Sequence, residues 1–200
     1  MAHADGTTHL STAHQTVVNT VLEVALPGFL RVEFGESIRP GEPIPGAHTH
    51  KIYSATILDP ALSRRINSDL VAVKEFGMNS NVSEEDNDAR FHAEVSLMWS
   101  LSFHPNVVGL VAYSDEPRAI VMRMMMSDLG LLLHGTEDME PLDDGLLLHV
   151  IGGIVSGLNA IHSMHVAHRD VKPTNILLQE PSAGERFPNA VIADFSTARS

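Results

Sequence analysis

Residues 168–175 read His-Arg-Asp-Val-Lys-Pro-Thr-Asn, which crowds an imidazole, two cations, an acid and an amide into one short stretch. A long apolar helical pattern, Leu146 to Ile161, precedes it, and the short apolar run Ile176-Leu177-Leu178 follows. Loops at the junction of buried elements rarely hold so many ionisable groups, because each must be paired or solvated. Pro173 stops a helix from continuing and pushes Lys172 towards an extended conformation, so the polar side chains splay around a turn instead of lining one face. Such a turn holds an acid, a cation and an amide around one point.

The bulk of the chain limits what can surround that turn. With 200 residues, 44% of them hydrophobic, it can bury one good core, or one small domain and part of a second. Lys and Arg number 13 against 25 Asp and Glu, a formal charge of -12, which argues against nucleic acid or an anionic membrane as partner. The first twenty residues contain no apolar core of signal-peptide length. The greasiest stretch, Leu146 to Leu158, is shorter than a bilayer requires and carries His149, so no membrane span is expected and the protein is read as soluble. Without cysteine there are no disulfides, thiolate zinc sites or cysteine catalysis, in keeping with an intracellular, cytoplasmic location.

Residues 1–30 are read as a mobile tail, because the opening segment is polar and shows no sustained period. Gly35, Pro40, Gly41, Pro43, Pro45 and Gly46 then mark loops and edge strands. Ile52, Tyr53 and Ile57 suggest a strand, Asp59-Pro60 a turn followed by a polar connection, and Val71 to Phe76 a second strand. A two-residue period puts Ala72, Lys74 and Phe76 on one face and Val71 and Val73 on the other. By itself a strand lysine is most often a solvated edge residue. Ser83 reads as the N-cap of a helix running to about Leu101, in which Phe91, Glu94, Met98 and Leu101 share a stripe. Glu94 either lies at the wetted edge of that stripe or is buried and needs a partner, for which Lys74 is the natural candidate.

Strands are expected at Val107 to Tyr113 and Ala119 to Met122, and a short helix at Asp128 to His134. A longer helix starts near Leu142, with a stripe Leu147, Ile151, Ile154, Leu158 and Ile161 and with Leu148, Val150 and Val155 on other sides, so it expects burial nearly all round. Gly152, Gly153 and Gly157 inside it imply close backbone packing. A polar turn, 180–189, leads to an apolar strand Ala190 to Ser196 that ends in an acid. His48, His50, His162, His165 and His168 raise the idea of a metal site, but no closing carboxylate or cysteine accompanies them, and ordinary packing is the stronger reading.

Val71-Ala72-Val73-Lys74, the helix carrying Glu94, residues 103–110, the stretch 168–175 and Ile192-Ala193-Asp194-Phe195 closely resemble, in this order, the motifs of protein kinase domains of the serine/threonine type. Leu129 to Gly135 and Ser196-Thr197-Ala198-Arg199 resemble the tyrosine-kinase-like group. The resemblance implies an α+β fold, with a small antiparallel β lobe and helix C over residues 31–122. The hinge and the first part of a mainly helical large lobe would occupy 123–200, as in a domain truncated after the metal-binding motif. A partner, or a missing C-terminal segment, would then cover the long helix.

By the same resemblance the cofactors are ATP and Mg²⁺, and the partner is a protein substrate with a serine or threonine hydroxyl, the type indicated by a lysine two residues after the catalytic acid. Lys74, positioned by Glu94, would grip the α and β phosphates. Ala72, Ile52, Met124 and Leu177 would contact the nucleotide, with Met122 as gatekeeper. Asp170 would orient the hydroxyl, Lys172 would steady the transferring phosphate, and Asn175 and Asp194 would hold the metal. His168, Phe195 and Met98 would pack. Two departures stand out: Pro45 to His50 lacks the three glycines of a phosphate-covering loop, with His50 where the third belongs, and Ser196 replaces a glycine. They keep open an alternative, a pseudokinase-like nucleotide-binding or scaffold module without catalysis.

Overall fold

A strand with apolar residues on both faces must be covered on both, and Val71-Ala72-Val73 is such a strand. In the computed structural model, which describes residues 26–44, 51–77, 83–134 and 143–199, it forms the centre of a five-stranded antiparallel sheet. The strands are β1 (Ile38–Pro43), β2 (Lys51–Ile57), β3 (Leu70–Glu75), β4 (Leu110–Asp115) and β5 (Arg118–Arg123), in the order β1-β2-β3-β5-β4. Pro40 and Pro43 fall on the edge strand, where a missing backbone N–H is tolerated.

One face of this sheet packs Tyr53, Ala55, Ile57, Val71, Val73 and Val121 against Leu62 and Ile66. The last two belong to a helix, α1 (Pro60–Ile66), where the sequence suggests a turn and a polar connection. Asp59 is its N-cap, accepting a hydrogen bond from the Ala61 N–H, and Pro60 occupies the first helical turn. Asp-Pro serves a turn and a helix start equally well, and burial of Leu62 and Ile66 selects the helix. The opposite face carries Ala72, Ile120 and Met122 into a second cluster, with Phe91, Val95 and Met98 of α2 (Glu84–Leu101). The Ser83 hydroxyl accepts from the Asp86 N–H, as its capping position predicts.

Residues 127–134 and 143–192 form the second layer. A three-stranded sheet orders β6 (Ser127–Asp128), β7 (Ile176–Gln179) and β8 (Asn189–Ile192), flanked by α3 (Leu129–His134) and α4 (Asp144–Ser163). β4 begins at Leu110, later than expected, because Val107 and Val108 pair with Ile192 of β8. Asn106 explains the diversion. It is buried, its amide donates to Asn189 Oδ1 and to the Ala190 carbonyl, and its own carbonyl accepts from the Ile192 N–H. The loop leaving α2 is therefore fastened to the second sheet.

The helix α4 corrects two expectations. Val150, Gly157 and Ile161 are buried, but Leu148, Ile151 and Val155 are 70%, 55% and 61% exposed, so one side is apolar and uncovered. At 20 residues it has the length and composition that a membrane span needs, a test that the core helix of a soluble protein also passes, so it is no clear span. Its other side lies on β8. A Cβ at Gly157 would stand 2.5 Å from the Asn106 carbonyl oxygen and 2.9 Å from Ile192 Cδ1, whereas one at Gly152 would meet nothing within 4 Å. The packing implied for the three glycines thus holds at Gly153 and Gly157 and fails at Gly152.

Gly157→Ala should accordingly cost about 1–3 kcal/mol through overpacking against backbone, and Gly152→Ala should stabilise by up to about 1 kcal/mol through helix propensity. Urea unfolding of both variants measures the difference, and equal midpoints would mean that α4 sits loosely on β8.

Candidate active site

β3 and α2 run past each other so that the Lys74 ammonium meets the Glu94 carboxylate, Nζ to Oε1 2.7 Å, with both side chains 4% exposed. The alternation of β3 turns Lys74 inward beside Ala72, and the three-to-four spacing on α2 aims Glu94 at it. Of the two sequence readings for Glu94, burial with a partner is the one observed. Lys74 also donates to Asp194 Oδ1 at 2.8 Å, and its Nζ lies 5.0 Å from the centre of the Phe76 ring. An ammonium has three donors, and these two acids use two of them.

Burial alone would raise the Asp194 carboxyl, but the Lys74 ammonium and the Ser196 hydrogen bonds hold it down at about 2. Burial pushes Glu94 up, against the pull of the same ammonium. Asp194 also has φ 66, a left-handed conformation uncommon outside glycine. It follows β8, which ends at Ile192, earlier than the strand expected through Ser196.

The turn at 168–175 is stitched to this acid from below. His168 is 2% exposed, its Nδ1 accepts from the Asp170 N–H at 3.4 Å, and its Nε2 bonds the Ala193 carbonyl at 3.0 Å, so it is a neutral spacer. Burial holds its pKa below the usual range. Its ring stands 5.1 Å from that of Phe195, and the Thr197 hydroxyl donates to its carbonyl. Arg169 adopts φ 70, left-handed like Asp194. Lys172 is extended, at φ -149 and ψ 160, as the following proline demands, and Pro173–Asn175 close into a 3-10 turn.

Asp170 accepts from Lys172 Nζ at 2.7 Å and from Asn175 Nδ2 at 2.9 Å, both at Oδ2. The Lys172 hydrogen bond, with help from Asn175, holds the Asp170 carboxyl below its usual range, and Asp170 in turn raises Lys172. Asn175 Nδ2 donates as well to the Asp170 carbonyl, and the Asn175 carbonyl accepts from the Ala193 N–H. With its amide nitrogen committed, Asn175 has Oδ1 left to offer a cation.

Ile52 pairs directly with Lys74, and Met122 with Ala72, so these four share one face of the sheet. Ala72 and Met122 belong to the cluster against which Met124 and Leu177 pack. Leu177 reaches it from the second sheet, through β7, and Ile52 is partly buried on the Lys74 face. All the site residues named from the sequence lie among the described residues, whereas Pro45 to His50 lies outside them. Of the histidines considered for a metal site, His48 and His50 lie outside the described residues; His162 and His165 are exposed, His168 is buried and bonded within the loop, and no group of three metal-binding side chains occurs among the described residues. Sequence reasoning missed Thr197 and Asn106, polar residues whose roles are bonds to distant backbone that no local pattern announces.

The sequence pattern of the protein kinase domain matches residues 61–200. Similar relatives include a probable serine/threonine-protein kinase of Dictyostelium discoideum, 34% identical over 134 residues, 64% of this chain and 10% of the relative. The serine/threonine-protein kinase pkn3 of Myxococcus xanthus is 30% identical over 139 residues, 68% of this chain and 25% of the relative. The MAP kinase kinase kinase wis4 of Schizosaccharomyces pombe is 32% identical over 114 residues, 55% and 8% respectively. The chain therefore spans a quarter or less of the length of these relatives.

A carboxylate held down at about 2, below the ordinary value near 3.9, contributes stability above about pH 4 and loses it as pH falls through 2. Lys74→Met removes the cation while leaving the burial, so the Asp194 titration should move upward and the acid-side loss should begin at higher pH. Carboxyl-carbon NMR across the acid range measures this, and an unmoved midpoint would show that Lys74 is not what holds the charge.

Proposed function

We propose, because this chain belongs to the protein kinase domain family, that its site transfers the γ-phosphoryl group of ATP to a serine or threonine hydroxyl of a protein. The observation that carries this reading is the convergence of Glu94 and Asp194 on the Lys74 ammonium, at 2.7 and 2.8 Å, directly above the Asp170–Asn175 turn that is bonded to Ala193. Phosphoryl transfer asks a protein for charge neutralisation and orientation more than for covalent chemistry, and this arrangement supplies both.

The donor set fits a hard cation. Asp194 is anionic at neutral pH and Asn175 has an amide oxygen to give, both of the oxygen type that Mg²⁺ prefers. Asp194 and Asn175 would be the residues that hold the metal, and among the described residues no group of three acids or histidines adds to them, so other oxygen ligands would come from the nucleotide and water. Bound ATP with its metal supplies the electrophilic phosphorus and a stable leaving group. Lys74 is the residue that neutralises phosphate charge, with Glu94 fixing its position. Ala72, Ile52, Met122, Met124 and Leu177 offer an apolar slot for a flat base. Asp170, ionised and carrying Lys172 beside it, orients the acceptor hydroxyl and receives its proton, while Lys172 turns towards the transferring group.

The substitutions at Pro45 to His50 favour a second reading, a nucleotide-binding or scaffold module that does not transfer phosphate. The two readings part in one experiment on the natural polypeptide. Asp170→Asn should lower turnover by about 10²–10⁴-fold, the usual range for a positioned base, with little change in unfolding midpoint or ATP affinity, because Asp170 is partly exposed and an asparagine oxygen can still accept from Asn175 Nδ2. A purified wild-type protein that binds ATP without phosphorylating any serine or threonine peptide would favour the module. Unchanged turnover in Asp170→Asn would remove Asp170 from the chemistry.

A further inference from the structure

Residues 26–34 precede β1 and lie upstream of the matched residues 61–200. They are nevertheless built into the core. Gly28–Leu30 form a 3-10 turn beside β4, and Leu30, 1% exposed, joins the cluster that contains Phe91 and Val95 of α2. The next residues bind β4 along its length: Arg31 bridges to Tyr113, the Val32 N–H donates to the Tyr113 carbonyl at 2.9 Å, and Arg31 Nε pairs with Asp115 Oδ2 at 2.8 Å.

The two β4 residues gripped in this way are also the ones that face α2. The Tyr113 ring stands 6.4 Å from the Phe91 ring, and Asp115 Oδ1 lies 4.0 Å from His92 Nε2. That oxygen is buried and accepts no hydrogen bond among the described residues, so Asp115 is held at α2 by its Arg31 pair and its packing, not by a bond of its own to the helix. Phe91 and His92 precede Glu94 by three and two residues. A continuous set of contacts therefore runs from Leu30 and Arg31 through Tyr113 and Asp115 to α2, and ends at the carboxylate that holds Lys74.

We infer that Leu30-Arg31-Val32 is a strap that sets the position of α2, which makes Leu30 and Arg31 positioning residues for the Lys74–Glu94 pair. Its effect on turnover rests on the proposed kinase reading, whereas its effect on α2 does not. The strap acts through packing, the Val32–Tyr113 backbone hydrogen bond and one partly exposed ion pair, so it tunes the position of the helix without forming part of the site.

The test uses the natural polypeptide and two readouts: amide hydrogen exchange across residues 84–101 and 176–192, and steady-state turnover with its KM for ATP. Leu30→Ala removes the buried anchor, Leu30→Met restores its volume, and Arg31→Ala cuts the pair at a residue whose side chain is 62% exposed and so leaves no buried cavity. Leu30→Ala and Arg31→Ala should speed exchange in α2 and leave β7 and β8 unchanged. In Arg31→Ala turnover should fall by about two- to five-fold, the scale of one partly exposed ion pair, with little change in KM, and Leu30→Met should behave as wild type. Exchange in α2 that stays at wild-type rates in both alanine variants, or that rises equally in β7 and β8, would overturn the strap. If α2 exchange responds as stated while the wild type transfers no phosphate, the strap stands and the kinase reading falls.

Discussion

One buried ammonium holds the described structure together at its centre. Lys74 is supplied by β3, Glu94 by α2 and Asp194 by the segment after β8, and the three meet within 2.8 Å. A lysine so enclosed has given up its hydration, and the two carboxylates, with the Phe76 ring beside them, offset that loss. Each element is therefore in position only while the others are: an α2 rotated away would strand a cation, and a displaced Asp194 would leave one acid facing it alone. The arrangement is electrostatically specific where the surrounding apolar contacts are merely permissive, because Ala72, Met122 and Leu177 would accept several packings and the ammonium accepts one.

Around that centre the two apolar clusters have different work. The outer cluster, capped by α1 through Leu62 and Ile66, gives the five-stranded sheet a second covered face and keeps Val71 and Val73 out of water. The inner cluster runs continuously from Ile120 and Phe91 to Ile192 and Ile161, crossing from the first sheet to the second without interruption. The polar site lies at the margin of the inner cluster, where Asp170 remains partly exposed and Lys172 faces solvent. Solvent therefore reaches Asp170 and Lys172, while Lys74 and Glu94 stay buried.

Much of this was legible in the sequence because independent periodicities agreed. The alternation in Val71 to Phe76 and the stripe through Phe91, Glu94 and Met98 each point inward, and a lysine and a glutamate pointing inward must find each other. Pro173 likewise announced the extended Lys172. What failed was whatever depended on a partner in space. Asp59-Pro60 suits a turn or a helix start, and only burial of Leu62 and Ile66 decided between them. Hydropathy alone made α4 look buried all round, but which side meets β8 is chosen by where Asn106 and Ile192 stand. Leu30 sat among glycine and proline residues that mark irregular chain, and irregular chain can still deliver one side chain to a core.

The fastening of Asn106, Val107 and Val108 to β8 has a mechanical meaning. The C-terminal end of α2 belongs to the second sheet, while its middle and its N-terminal half lie along the first. A rod pinned at one end is a lever, and the pin here is five residues past Leu101. With a rise of about 1.5 Å per residue, Glu94 lies roughly two-fifths of the way from Leu101 to Glu84, so a displacement applied at the far end reaches Glu94 reduced. Contacts near Ser83 and Asp88 therefore give fine control of the ion pair, and those near Phe91 and His92 give coarse control. The fulcrum itself rests on Asn189 and Ala190, on the second sheet, which also carries the Asp170–Asn175 turn through β7.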